Sequence, residues 1–167
     1  MFLTLDHFLS TWDYEAGATQ RILNHLTDES LQQEITSENW TLGRTAWHTV
    51  AAIRIIASNT NLTFEAPVEY WPVPASAAFI ADSYQQASAA FVHAVKSQWN
   101  DSTLTEQIDF LGQHIPNGSL LLFLILHQSH HRGQLTVLMR QAGLSVPGIY
   151  GPSKEEWANF GMEAPKM

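Results

Sequence analysis

The residues of this chain best equipped for chemistry are histidines. There are eight of them, as many as the lysines and arginines together, and there are no cysteines. The densest group is His127-Gln128-Ser129-His130-His131-Arg132-Gly133-Gln134. On a helix, His127 and His131 stand four apart on one face, with Cβ atoms ~6 Å apart. That separation lets two imidazoles reach one metal ion at about 2.0–2.1 Å each. His130, three residues from His127, competes with His131 on geometry alone. Two imidazoles do not complete a useful site, so a third ligand is expected from another helix, and His48 is the best candidate. It lies in Thr45-Ala46-Trp47-His48-Thr49-Val50-Ala51-Ala52, an uncharged helical stretch that offers an imidazole few partners. Burying such rings costs desolvation free energy unless something coordinates or hydrogen-bonds their nitrogens. His93 falls on the polar side of its helix, His7 and His25 lie off an apolar stripe, and His114 falls in a loop. For these four the expectation is an exposed or hydrogen-bonded ring.

Several other chemistries are excluded by what is missing. A zincin needs His-Glu-x-x-His with the Glu as general base, and Gln128 occupies that position. A di-iron carboxylate protein needs Glu-x-x-His pairs, and no Glu here has a His three residues later. There is no Gly-x-Ser-x-Gly elbow, no phosphate-binding loop and no dinucleotide fingerprint. With 16 acidic against 8 basic residues the formal charge is −8, which argues against nucleic acid as a partner because phosphate binding needs a basic stripe. The longest apolar run, Leu120 to Leu126, is seven residues, too short to span a membrane. Met1-Phe2-Leu3-Thr4-Leu5-Asp6 lacks the positive start of a secretory signal. With no cysteines besides, the expected compartment is the cytoplasm.

The elements that must hold the histidines are mostly helical. Leu5, Phe8, Leu9, Trp12, Ala16, Thr19, Leu23 and Leu26 recur at spacings of three and four, one face of a first helix over Leu5 to Leu26. A short helical turn follows around Leu31 to Ile35. A second helix starts near Thr41 and ends at the turn cluster Ser58-Asn59-Thr60-Asn61. Three prolines between Ala66 and Pro74 forbid a regular helix there. A third helix runs from Ser76 to about Trp99. Gln107 to Phe110 reads as a short strand. Asn117-Gly118-Ser119 opens a fourth helix, Leu120 to Ala142, stopped by Gly143 with Pro147 beyond it. Ser153-Lys154-Glu155-Glu156 has the pattern of a capping box and predicts a last short helix. The expectation is an all-α protein: a single four-helix bundle domain over residues 1–167, with a long connection between helices two and three and a short C-terminal helix.

Trp40-Thr41-Leu42-Gly43-Arg44-Thr45-Ala46-Trp47-His48, followed by His127-x-x-x-His131-Arg132-Gly133-Gln134-Leu135, resembles the DinB family of bacterial proteins. So do Met139-Arg140-Gln141-Ala142-Gly143-Leu144 and Val146-Pro147-Gly148-Ile149-Tyr150-Gly151-Pro152. The likeness runs through almost the whole chain. It implies a bundle, often dimeric, that binds one divalent metal ion through three histidines. Matched by position these are His48, His127 and His131, which decides between His131 and His130. The metal the resemblance implies is nickel or zinc. Some relatives are transferases or isomerases that use a low-molecular-weight thiol such as bacillithiol or mycothiol.

A tetrahedral ion on three neutral imidazoles keeps one position open, as catalytic sites do. A thiol taking that position is deprotonated by the ion, and a chain without cysteine has to borrow it. The preferred reading is therefore a metal-dependent thiol transferase acting on a small-molecule substrate. The alternatives are a non-catalytic metal-binding protein of stress response or interaction, and a small-ligand sensor. No motif names a general acid or base; Arg132 and Tyr150 are guesses. A homodimer is expected, because only 14% of residues are charged and Trp71, Trp99 and Trp157 fall outside the clearest core stripes. Coordination by neutral histidines should also make stability pH-dependent, chiefly in the metal-bound form.

Overall fold

The computed structural model describes residues 1–68 and 70–166. Four helices dominate it: α1 (Leu5–Leu23), α2 (Leu42–Ala57), α3 (Ala77–Gln98) and α4 (Asn117–Gln141). The first three start at Thr4, Thr41 and Ser76, whose hydroxyls accept from the backbone N–H three residues on and satisfy a donor the helix leaves free. The fourth starts after the extended Pro116, where the buried Asn117 side chain donates to the Thr103 carbonyl at 3.0 Å. It closes as the sequence predicts. Gly143 takes φ +76°, its N–H bonds to Arg140 O and that of Leu144 to Met139 O, the double bond of a Schellman motif.

Helix α1 packs on α3 and α4, and α2 packs on the same two from the other side. Between them Phe8, Trp12, Ile53, Ile80, Phe91 and Leu135 lose essentially all solvent contact. Phe91 meets Phe8 and Trp12 edge-on, with centroids 5.9 and 5.1 Å apart, the arrangement that ring quadrupoles favour. Thirteen of the 16 residues of α2 are buried, so α2 is the innermost helix and a polar residue on it must find partners inside the protein. No helix among the described residues is long and apolar enough to cross a membrane.

Four local readings are corrected. The first helix ends at Leu23 rather than Leu26, although Leu26 still packs into the core. The turn expected at Leu31 to Ile35 is a 3-10 turn at Glu29–Gln32. Gln107–Phe110 is a strand, β1, but it has a partner in Gln113–Pro116, β2. The two pair antiparallel, with Phe110 opposite Gln113, across Leu111 and Gly112 at φ 53° and 77°, a two-residue hairpin turn of the mirror-image kind that suits twisted strands. The structure is thus mostly helical with one small hairpin, and His114 sits exposed in β2 rather than in a loop. The last correction is at the C-terminus, where only half of the capping box forms. Glu156 accepts from Ser153 N at 3.1 Å and from Gly148 N at 2.9 Å, while the Ser153 hydroxyl does not accept from the Glu156 backbone N–H, which bonds to Ser153 O instead. A single 3-10 turn, Trp157–Phe160, replaces the helix, and none of its residues is buried. Without an apolar face to dock, so short a segment cannot offset the cost of helix nucleation.

Of the three tryptophans expected outside the core, Trp99 is buried and donates to Asn61 Oδ1 at 2.8 Å. Trp157 is half-buried, and only Trp71 is well exposed.

The rotation of α4 about its own axis is set by Arg132. This arginine is buried, forms an ion pair with Glu15 on α1, and donates to Glu15 O at 2.7 Å and to Thr19 Oγ1 at 3.1 Å. The Tyr150 hydroxyl joins the group, donating to Glu15 Oε2 at 2.8 Å. Removing one member of a buried pair leaves an uncompensated charge. Glu15→Ala should therefore lower unfolding free energy by about 3 kcal/mol, read from urea denaturation; a loss below about 0.5 kcal/mol would show that solvent already screens the pair.

Candidate metal centre

The triad is assembled by two helices. His127 and His131 leave one face of α4 one turn apart, and His48 meets them from α2. The Nε2 atom of His127 lies 3.3 Å from Nε2 of His48 and 3.3 Å from Nε2 of His131. One ring nitrogen from each residue falls within 4.8 Å of the others. The three rings are buried or half-buried. The helix pair is locked beside them by Gln128, whose amide donates to the Thr49 carbonyl at 2.9 Å across the interface. Gln128 and Thr49 each directly follow a member of the triad, so this bond fixes the register of α2 against α4 where the rings meet.

The tautomers follow from the outer contacts. His131 Nδ1 is 2.7 Å from Gln134 Oε1. An amide oxygen only accepts, so Nδ1 carries the proton and Nε2 turns a lone pair inward. Such a bond on the far nitrogen is the usual support of a metal-ligating histidine. The Nδ1 atoms of His48 and His127 are buried without a hydrogen-bond partner among the described residues. The three Nε2 atoms compete for one point in space. A neutral imidazole nitrogen offers a single in-plane proton or lone pair, and His127 Nε2 cannot satisfy two neighbours with it. A divalent ion accepting from all three would, so these three side chains could hold one. No carboxylate among the described residues belongs to the group.

Burial first, and then the neighbouring His131, His127 and Arg44 charges, push the pKa of His48 down to about 3. Burial, followed by His131 and His130, brings His127 down to about 4. His131 is lowered by burial, against the opposing bond from Gln134. All three are thus neutral at physiological pH, the form that coordinates. His130 is exposed, as are His7, His25, His93 and His114, so the described structure brings together the three expected histidines and leaves out the other five.

Aromatic rings frame the triad. Trp40 lies 5.0 Å from His48 and is stacked at 6.3 Å on His131. Tyr70 lies 4.9 Å from His48, and Phe123 is 6.0 Å from His127. Arg44 packs between Trp40 and Tyr70. Sequence reasoning missed Gln134, Gln128, Arg44 and Tyr70 as parts of the site. Two carried a signal: Gln134 is three residues beyond His131 and Arg44 four before His48, both spacings that share a helix face. Arg132 and Tyr150, the guesses for acid–base groups, are hydrogen-bonded to Glu15 rather than to the histidines.

The family profile for DinB matches residues 1–167. The chain belongs to the DinB family. This DinB protein is 75% identical to YrdA of Bacillus subtilis (strain 168) over 167 residues, the full length of both. It superposes on a crystal structure of a DinB-like protein from Bacillus cereus ATCC 10987 with a TM-score of 0.88 and 55% identity, over 90% of this chain and 100% of that one. The DinB-like protein YjoA of Bacillus subtilis shares the fold at a TM-score of 0.65 and 15% identity, over 87% and 98% of the two chains.

The neutrality of the triad has a thermodynamic consequence without any ion. Folded pKa values below the ordinary 6.5 mean that the unfolded chain binds more protons as pH falls. Stability from these rings is therefore present above about pH 6.5 and lost as pH falls toward 4. This shifts the expectation that the dependence belongs chiefly to the metal-bound form. Metal-free protein should melt at progressively lower temperature from pH 7 to pH 4, and a His48→Gln/His127→Gln variant should lose less over that range. Parallel curves would contradict the assignment.

Proposed function

We propose that this DinB protein is a four-helix bundle of one domain that holds one divalent ion, nickel or zinc, on His48, His127 and His131. On that site it would join a low-molecular-weight thiol, such as bacillithiol, through its sulfur to an electrophilic small molecule, an S–C bond forming as the electrophile's leaving group departs or its double bond opens. The observation that carries the reading is the convergence of three neutral Nε2 atoms, with His131 oriented by Gln134. An ion held by these three residues would lower the pKa of a thiol bound to it, supplying a nucleophile near neutral pH. The chain has no cysteine, so the thiol comes from solution.

The protein's own residues bind and orient. Gln134 holds the His131 tautomer, Gln128 holds the two helices in register, and Trp40, Tyr70 and Phe123 shield the rings from bulk water. With Arg132 and Tyr150 committed to Glu15, no general acid is assigned. The rival reading is a metal-binding protein without catalysis. A homodimer is also part of the proposal, now resting on the exposed Trp71 and the low charge content rather than on Trp99.

Metal analysis and turnover separate these readings. Purified protein should carry about one divalent ion per chain. His131→Ala should lose most of it, and His130→Ala should keep it. Metal-loaded protein should conjugate bacillithiol to a model electrophile, with rate lost on chelation and restored on reloading. Exchanged outcomes for the two variants would overturn the ligand set, and full metal content without turnover on any thiol would leave the non-catalytic reading.

A further inference from the structure

Arg44 precedes His48 by one helical turn on α2, so both side chains emerge on the same face. Its guanidinium carbon is 5.0 Å from the centre of the Trp40 ring and 5.3 Å from that of Tyr70. One of its nitrogens donates to the Tyr70 carbonyl. These same two rings touch His48, at 5.0 and 4.9 Å. A cation is therefore held beside the triad by two aromatic faces and one carbonyl. That arrangement orients the guanidinium and leaves other N–H donors of its fork without a hydrogen-bond partner among the described residues.

Among the described residues no anion is paired with it. The ion pairs among the described residues are Glu15–Arg132 and Glu155–Arg140, and neither involves Arg44. The triad contributes three neutral rings and no carboxylate. Arg44 lines a cleft of about 430 Å³ together with Trp40, Trp71, Val73 and Glu34, yet Glu34 is not within ion-pair distance. Arg44 is half-buried, faces this cleft and has no counter-charge among the described residues; a guanidinium fork matches a carboxylate in two parallel hydrogen bonds.

We propose that Arg44, framed by Trp40 and Tyr70, binds the carboxylate of a small acid whose other end carries the group directed at the three histidines. The natural ligand is thus a carboxylate-bearing thiol or a comparable two-ended acid rather than a neutral molecule. The inference rests on the metal reading for its second anchor only; the carboxylate contact belongs to Arg44.

The test titrates cobalt-loaded protein with 3-mercaptopropionate and with its neutral counterpart 3-mercapto-1-propanol, following thiolate-to-cobalt charge-transfer absorption. Cobalt content is measured alongside. Wild-type protein should bind the acid about tenfold more tightly, the size of one charge-assisted hydrogen bond. Arg44→Gln should abolish the preference while retaining cobalt, and Arg44→Lys, which keeps the charge but not the fork, should retain part of it. Equal affinity of wild-type protein for the two thiols, or no binding of either to cobalt-loaded protein, overturns the proposal without recourse to a variant. Protein that retains no cobalt contradicts the metal reading instead. Arg44 is then judged by quenching of tryptophan fluorescence with 3-mercaptopropionate in metal-free wild-type and Arg44→Gln protein: quenching that depends on Arg44 supports it, and identical curves overturn it.

Discussion

Three imidazole nitrogens meet at one point between α2 and α4, and this crowding is the constraint to which the surrounding structure answers. His127 Nε2 stands 3.3 Å from two other Nε2 atoms. Lone pairs that close repel unless a proton or a metal ion lies between them. Protonation is opposed by burial, which drives His48 and His127 to about 3 and 4. A bound cation would relieve the repulsion without asking any ring to carry a charge. The triad therefore makes physical sense as a ligand set, and much less as a group of hydrogen-bonded core histidines.

Holding rings in such an arrangement requires the helices to be fixed in both rotation and register. Rotation of α4 is set on its far side by Arg132, locked to Glu15 and Thr19 of α1. Register is set on its near side by Gln128, bonded to Thr49 O. The run His127-Gln128-x-x-His131-Arg132-x-Gln134 thus alternates tasks along about two turns of α4: candidate ligand, cross-link, candidate ligand, anchor, tautomer control. Each residue faces the helix or ring it serves because successive positions turn by about a quarter of a circle.

Much of this was legible in the sequence because helical spacing is local. The start of the second helix near Thr41, Gly143 as terminator, and the His127/His131 pair all follow from positions within a few residues of one another. Partners distant in the chain left no such trace. Arg132 and Glu15 lie 117 residues apart, and nothing near Arg132 announces that its charge will be buried. Tyr70 belongs to the proline-rich connection between α2 and α3, which has no period to reveal that it folds back over His48. The β1–β2 hairpin was half-visible: four residues suggest a strand, but pairing is a property of two segments. The C-terminal capping box failed for the opposite reason, since its local pattern was right and the tertiary support for a helix was missing. Trp99 looked exposed because it follows the last regular turn of α3, where periodicity stops informing on burial.

The central claim is that one ion bridges the three imidazoles, and X-ray absorption spectroscopy at the zinc edge of zinc-loaded protein addresses it most directly. The account predicts three histidine nitrogens at about 2.0–2.1 Å, with the multiple-scattering pattern of imidazole and no protein sulfur or carboxylate in the ligand shell. A shell fitted by one imidazole or none, with the remainder oxygen, would contradict it.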